Sequence, residues 1–186
     1  MKFGNRNIKQ VEASWVNDLA LKDAATLIGD GERYYHKNVC EVADYLYENQ
    51  GKIRIMLLAG PSASGKTTTA RKISVLLEGR GMHAPVISLD DFYRNTADLP
   101  IEADGKRDYE TIHALDIPEI SRCFTELIET GRSELPLFDF EHKRRAKRRT
   151  SIRLGEEGVL IVEGIHALNP LLVNDLGETG FLRIYI

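Results

Sequence analysis

The sequence of 186 residues is poor in cysteine, and its two cysteines, Cys40 and Cys123, fit no metal-ligand spacing. We therefore expect two reduced thiols rather than a disulfide. The sequence also lacks an apolar run near the roughly 20 residues that span a bilayer. Its first five residues lack the apolar core of a signal peptide. These absences predict a cytoplasmic protein without a membrane partner.

No charge of one sign dominates the chain, whose formal net charge is −3 at pH 7. This balance gives no overall reason to expect nucleic acid as a partner. Hydrophobic residues make up 42% of the chain and charged residues 28%, as in an ordinary globular protein. The length fits one domain of moderate size with an appended segment.

The N-terminal region is weakly patterned up to about residue 32, where Gly29-Asp30-Gly31 predicts a turn. Val39, Val42, Ala43 and Leu46 then recur at the spacing of one helix face, and Asn49-Gln50-Gly51 ends that pattern. We predict that residues 1–51 form an N-terminal helical extension, which packs on the outside of a domain spanning residues 52–186.

Short apolar runs in the second region predict four strands, at Ile53–Ala59, Pro85–Leu89, Val159–Val162 and Phe181–Ile186. Helical patterns lie between them, including one over Ile117–Glu129 that begins near Pro118 and ends at Gly131. Strands that alternate with helices indicate an α/β fold. We expect a three-layer core with a parallel sheet and helices on both faces.

A glycine-rich segment between the first strand and the next helix matches the pattern G-x-x-x-x-G-K-[ST] in full. Small residues allow backbone N–H groups to turn inward around phosphates, and the helix N-terminus adds a positive potential. A lysine can reach the β- and γ-phosphates, and a threonine hydroxyl can ligate Mg²⁺. The predicted nucleotide-binding residues are Gly60, Pro61, Ser62, Ala63, Ser64, Gly65, Lys66, Thr67 and Thr68.

Carboxylates follow two of the predicted strands. Asp90 and Asp91 come just after the second strand, and Glu163 comes directly after the third. Ligands of open α/β sheets bind beyond the carboxyl ends of strands, so these acids are expected on one edge. Thr67, Glu163 and Asp90 are the candidate Mg²⁺ residues. An alternative for Asp91 is a solvated or capping acid.

Together these segments resemble the uridine kinase and phosphoribulokinase family of P-loop kinases, over roughly Lys52 to Ile186. The motifs that carry the resemblance are Gly60–Thr67, Ile87–Tyr93, Asp108-Tyr109-Glu110, Leu135–Phe140 and Val162–Pro170. The last motif looks most like the bacterial uridine-kinase-like proteins that carry a threonyl-tRNA-synthetase-like N-terminal region. The fold is then expected to be that of a P-loop NTPase of the nucleoside-kinase type.

The resemblance implies roles for matching positions. Asp90 takes the place of the base that accepts the proton of the acceptor hydroxyl, and Lys66 acts on the transferred phosphate. Tyr109 and Glu110 take the place of nucleoside contacts, the acid binding ribose hydroxyls. Further candidate substrate residues in or near the motifs are Asp91, Tyr93, Phe138, Phe140, His142, Arg145 and His166.

Several of these assignments have alternatives. His142 is displaced by one residue from a base-contacting histidine of uridine kinases, so it is either a ligand or a surface residue. His166 lies near the site with or without a direct role. The basic run Lys143–Arg149 is a solvated face, a nucleic-acid patch, or a source of an arginine that binds an acceptor phosphate, with Arg144 or Arg145 best placed.

We predict an ATP- and Mg²⁺-dependent kinase that transfers the γ-phosphate to a hydroxyl of a nucleoside, most plausibly uridine or cytidine. The alternatives are a sugar-phosphate kinase that uses the basic run, and a nucleotide-binding regulatory module without turnover. The family's lid follows the fourth strand, so we expect it to lie outside these 186 residues. The expected partner is a small-molecule substrate, not nucleic acid, and a homo-oligomer is an open prediction.

Overall fold

A computed structural model describes residues 12–99, 101, 107–172 and 180–186. The chain divides into two compact units, residues 1–39 and 40–186. Helix α1 (Ala13–Glu48) begins in the first unit. It is kinked at Asp23, whose backbone angles are φ −156° and ψ 74°. The Asp23 carboxylate accepts a hydrogen bond from the Thr26 backbone N–H at 3.0 Å. The last turns of α1 belong to the second unit.

The predicted turn at Gly29-Asp30-Gly31 is wrong, because α1 runs through these residues without a break. A glycine inside a helix costs only about 1 kcal/mol relative to alanine, which neighbouring turns can offset. An ion pair between Asp30 and Arg33, one turn apart, supports this stretch. Among the residues described, we find no helix long and apolar enough to cross a membrane.

The described part of the second unit contains a parallel sheet, two small antiparallel pairs and two further α-helices. Its strands are β1 (Ile53–Ala59), β2 (Val86–Ser88), β3 (Arg132–Leu135), β4 (Phe138–Asp139), β5 (Arg144–Arg145), β6 (Thr150–Arg153), β7 (Leu160–Glu163) and β8 (Gly180–Tyr185). Its helices are α2 (Lys66–Glu78) and α3 (Ile117–Thr130). The parallel sheet has the order β2-β7-β1-β8. All four predicted strands and the α/β class are thereby confirmed.

Strands β1 and β7 are buried on both faces of the sheet, which explains why their sequences are continuous apolar runs. Ile55 and Leu57 of β1 share one hydrophobic cluster with Phe124 and Leu127 of α3. Helix α2 contacts β7, β2 and β1, and buries Ile73. The sheet thus lies between helical layers, as the sequence predicts.

The ends of α3 follow the expected local chemistry. The Asp116 carboxylate caps the helix by accepting from the Glu119 backbone N–H at 3.2 Å, and Pro118 lies in the first turn. Gly131 ends the helix in the left-handed region at φ 74°. The pairs β3–β6 and β4–β5 were not predicted, since two of these strands have only two residues.

Candidate nucleotide and acceptor site

The glycine loop joins β1 to α2 at the carboxyl edge of the sheet. A Cβ atom on Gly60 would lie 2.4 Å from the Ile186 carbonyl oxygen, so only glycine fits there. Gly65 has φ 88° and is the N-cap of α2, while Ala63 also has a positive φ of 61°. This alternation of backbone conformation turns successive N–H groups to one side and forms an anion-binding nest.

Two side chains of the loop are held near that nest. The Lys66 ammonium donates to the Pro61 carbonyl oxygen at 2.8 Å, which folds the side chain back over the loop. The Thr67 hydroxyl donates to the Glu163 carboxylate at 3.0 Å, across 96 residues of sequence. Ser64 Oγ is buried and has no hydrogen-bond partner among the described residues, so the loop contains an unsatisfied polar atom.

Glu163 is buried at 5% exposure where β7 ends. In the sheet register it lies beside Leu58 of β1 and Ser88 of β2, so it sits between the two loops that follow those strands. Gly164 comes next, and a Cβ there would lie 2.9 Å from Leu89 Cβ. Glycine at this position therefore lets the loop after β2 pack directly against the end of β7.

Asp90 and Asp91 lie on the short helical turn Leu89–Phe92, which Ser88 caps by accepting from the Asp90 N–H at 3.3 Å. Desolvation raises the pKa of Asp90, and the negative charge of Glu163 raises it further, against a lowering by Lys66. Desolvation also raises the pKa of Asp91. Asp90 retains an exposed surface, so the shift reflects its neighbours as well as partial burial.

Three aromatic rings form a row beside these acids. The Tyr93 and Phe138 ring centroids are 5.7 Å apart, and those of Phe138 and Phe140 are 5.0 Å apart, both edge-to-face. Asp91 accepts from the Phe138 backbone N–H at 3.2 Å, which fixes the start of β4 against the turn that carries the acids. Asp91 thus has a structural contact beside its predicted substrate role.

The predicted nucleoside-binding segment, Asp108-Tyr109-Glu110, contacts side chains from the loops after β2 and β7. The Asp108 carboxylate accepts from the Glu110 N–H at 2.8 Å and closes a tight turn. The Tyr93 hydroxyl donates to the Tyr109 carbonyl oxygen at 3.2 Å. His166 Nε2 lies 2.7 Å from the Glu110 carbonyl oxygen. The structure therefore brings together residues from four separate motifs.

Arg145, a predicted contact to an acceptor phosphate, makes several hydrogen bonds within the protein. Its guanidinium donates to the Tyr93 carbonyl at 2.9 Å, the Phe92 carbonyl at 3.1 Å and the Asp116 carboxylate at 3.3 Å. Its own N–H donates to Asn95 Oδ1 at 2.8 Å. Through these contacts Arg145 holds the loop after β2 to the hairpin β4–β5. Its contact to an acceptor phosphate stays a prediction.

Of the other residues in the basic run, some are exposed and some make contacts within the protein. Arg149 pairs with Glu119 on α3 and donates to the Glu134 carbonyl at 2.8 Å. Lys143 and Arg144 are exposed on the hairpin. His142 Nδ1 lies 2.8 Å from an Asp139 oxygen and its side chain is 57% exposed. This contact agrees with the surface alternative for His142.

The oxygen ligands at the carboxyl edge fit Mg²⁺. Thr67 Oγ1 and the Glu163 carboxylate are in contact, and Asp90 interacts electrostatically with Glu163. Within the described ranges, no group of three or more His, Cys, Asp or Glu side chains could enclose a metal. Mg²⁺ commonly binds through one or two protein ligands, waters and substrate phosphates, so Thr67 and Glu163 could hold it together with a bound triphosphate.

Sequence reasoning missed two side chains that assemble the acceptor face, Asn95 and Asp116, and it named Asp108 only as part of a motif. Asp116 could have been identified as a helix cap from the pattern D-x-x-E that it forms with Glu119. Its contact with Arg145, 29 positions away, has no signal in the sequence.

The glycine loop between a buried strand and a helix, with an acid at the end of the adjacent strand, defines a P-loop phosphate-binding fold. Solved structures agree on this fold. A protein described as a possible uridine kinase from Bacillus stearothermophilus superposes with a TM-score of 0.64 at 18% identity, covering 81% of this chain and 79% of that one. D-glycerate 3-kinase from Cryptococcus neoformans gives 0.52 at 21% identity, covering 69% and 52%.

The sequence pattern of the phosphoribulokinase / uridine kinase family matches residues 55–186, and this chain belongs to that family. A uridine kinase of Halobacterium salinarum is 34% identical over 131 residues, or 69% of this chain and 54% of that protein. One of Deinococcus deserti is 28% identical over 129 residues, 69% and 59%. The chain therefore spans somewhat more than half the length of these curated relatives.

Proposed function

We propose that this protein transfers the γ-phosphate of ATP to a hydroxyl of an unphosphorylated nucleoside, with uridine and cytidine as the first candidates. Membership in the phosphoribulokinase / uridine kinase family supports a small-molecule acceptor. The observation that carries the choice within this family is the chemistry of the acceptor side, defined as Asp90, Asp91, Tyr93, Asp108–Glu110, Phe138 and Phe140.

The acceptor side is acidic and aromatic. Desolvation raises the pKa of Tyr93, and the negative charges of Asp90, Glu110 and Asp108 raise it further. A phosphorylated acceptor would bring further negative charge to this face. Arg145, one of the two arginines best placed to bind such a phosphate, donates to backbone carbonyls and to Asp116. A neutral acceptor with a flat base suits this face better than a sugar phosphate.

The phosphate side, defined as Gly60–Thr67 with Glu163, would hold the triphosphate. The nest of N–H groups and the N-terminus of α2 would face the phosphates. Lys66 would leave the Pro61 carbonyl, its present partner, for the more strongly charged phosphate oxygens. Thr67 and Glu163 would hold Mg²⁺, which neutralises the charge that develops on the phosphates.

Asp90 is the proposed base that orients and deprotonates the acceptor hydroxyl. A carboxylate with a raised pKa is a better proton acceptor near neutral pH than an ordinary aspartate. The positive charge of Lys66 opposes this rise in the pKa of Asp90, and it links the base electrostatically to the phosphate side. Most of the rate gain is expected from positioning and charge stabilisation.

The proposal is tested by incubating the protein with ATP and Mg²⁺ and a panel of nucleosides and sugar phosphates, with products identified by phosphorus NMR. We expect a nucleoside monophosphate and ADP. Phosphorylation of a sugar phosphate without any nucleoside product would overturn the proposed acceptor. ATP binding without turnover of any acceptor would favour a regulatory nucleotide-binding role.

A further inference from the structure

We propose that His166 and Tyr93 form a clamp that positions the Tyr109–Glu110 segment for the acceptor through its backbone. This inference rests on the proposed function, because it assigns the segment to the acceptor. Both are candidate substrate residues from the sequence, His166 with the alternative of no direct role. The structure instead directs their polar atoms to two consecutive carbonyl groups of the segment.

The first contact comes from the loop after β7. His166 Nε2 lies 2.7 Å from the Glu110 carbonyl oxygen, across 56 residues of sequence. A carbonyl oxygen only accepts hydrogen bonds, so Nε2 carries the hydrogen in this contact. The loop around His166 is itself hydrogen-bonded, since the Asn169 N–H donates to the His166 carbonyl at 2.8 Å. The histidine is therefore anchored to the strand that ends in Glu163.

The second contact comes from the loop after β2. Tyr93 Oη donates to the Tyr109 carbonyl oxygen at 3.2 Å. The backbone of Tyr93 pairs with Leu115 in a bridge, and its carbonyl accepts from Arg145 Nε at 2.9 Å. The tyrosine ring also packs on Phe138. This anchor is fixed on both its backbone and its ring.

The clamp ties the segment to the loop after β2, which carries Asp90, and to the loop that directly follows Glu163. The backbone of Tyr109 and Glu110 is held, while both side chains remain exposed and free to meet a ligand. Holding a segment in its binding conformation lowers the ordering cost when a ligand arrives. His166 and Tyr93 are thus positioning residues, whose loss should weaken acceptor binding without affecting ATP.

The test compares His166→Phe with His166→Gln in steady-state kinetics with ATP and uridine. Phenylalanine keeps the ring volume and loses the N–H, whereas the glutamine amide can replace the Nε2 donor. Loss of one such hydrogen bond should raise the KM for uridine roughly three- to tenfold, with the KM for ATP unchanged. Glutamine should restore most of the wild-type KM. His83→Phe is the matched control. His83 pairs with Glu78 and lies just before β2, at the amino ends of the strands and away from the site.

A second readout needs no turnover. Hydrogen–deuterium exchange of a peptide covering residues 107–115 should be faster in His166→Phe and in Tyr93→Phe than in the wild type. If the wild type phosphorylates no acceptor, the proposed function fails while exchange still tests the clamp. Unchanged exchange in both variants would overturn the clamp. Equal increases in KM for ATP and uridine would also overturn it, because they would indicate a general structural effect.

Discussion

The phosphate side and the acceptor side are built in different ways. The phosphate side is a continuous stretch from Gly60 to Thr67 on the end of one strand, completed by Glu163 from the neighbouring strand. The acceptor side is assembled from three segments, joined by side chains such as Arg145 and Asp91 that reach backbone groups about 50 residues away. One side is therefore held by regular secondary structure and the other by individual hydrogen bonds.

Because of this difference, we expect mutations to impair the phosphate side and the acceptor side separately. A change in the glycine loop or in Asp90 should impair phosphate binding or transfer. A change in a side chain that holds the acceptor side together, such as Arg145, should impair acceptor binding alone. The mutations below test that separation.

The largest effect is expected for Asp90→Asn, which keeps the shape of the side chain and removes the proton acceptor. Loss of a positioned general base commonly costs about 10² to 10⁴ in rate. We expect kcat with uridine to fall by this factor while the affinity for ATP, measured by calorimetry, is kept. Loss of ATP affinity instead would reassign Asp90 to the metal.

Lys66→Ala should act on the phosphate side. Removing a charge that stabilises the transferred phosphate typically lowers kcat by about 10² to 10³. ATP binding should weaken as well, because the ammonium also meets the ground-state phosphates. Arg71→Ala is the control, since Arg71 is an exposed cation on the same helix. Full activity of Lys66→Ala would refute the role of the loop in phosphate binding.

Arg145→Met should act on the acceptor side. The variant leaves the Phe92 and Tyr93 carbonyls without their charged donor, so the free energy of unfolding should fall by about 2 kcal/mol. The KM for uridine should rise and that for ATP should not. Urea unfolding and steady-state kinetics measure the two effects. Arg144→Met, on the exposed neighbour, should change neither, and equal effects of both variants would contradict the assignment.

The smallest effect concerns the stability of Asp90→Asn. Because the pKa of Asp90 is raised on folding, its ionised form destabilises the folded state near neutral pH. Asparagine should therefore increase Tm at pH 7 by roughly 1 to 3 °C, a small gain because water screens the exposed part of the charge. The gain should vanish below about pH 4, where the unfolded-state carboxyl is also protonated. Calorimetric scans at both pH values measure it, and a lower Tm at pH 7 would contradict the electrostatic account.

The sequence predicts the two sides unequally. Gly60–Thr67 and Glu163 could be placed because each adjoins a strand whose apolar pattern is visible, and parallel strands bring their carboxyl ends together. The acceptor residues could be named from their motifs but not positioned. The contact of Arg145 with the Tyr93 carbonyl, and that of His166 with the Glu110 carbonyl, follow no periodicity. At Gly29–Gly31 the error is of the opposite kind: the local pattern predicts a turn, whereas the structure has a helix through these residues.

The central claim is that the acceptor is an uncharged nucleoside rather than a phosphorylated sugar. Its most direct test is a competition in which uridine and ribulose 5-phosphate are present at equal concentration with ATP and Mg²⁺, and the products are resolved by phosphorus NMR. The account predicts uridine monophosphate as the main product, formed by the wild type and not by Asp90→Asn. Formation of ribulose bisphosphate in its place would contradict it.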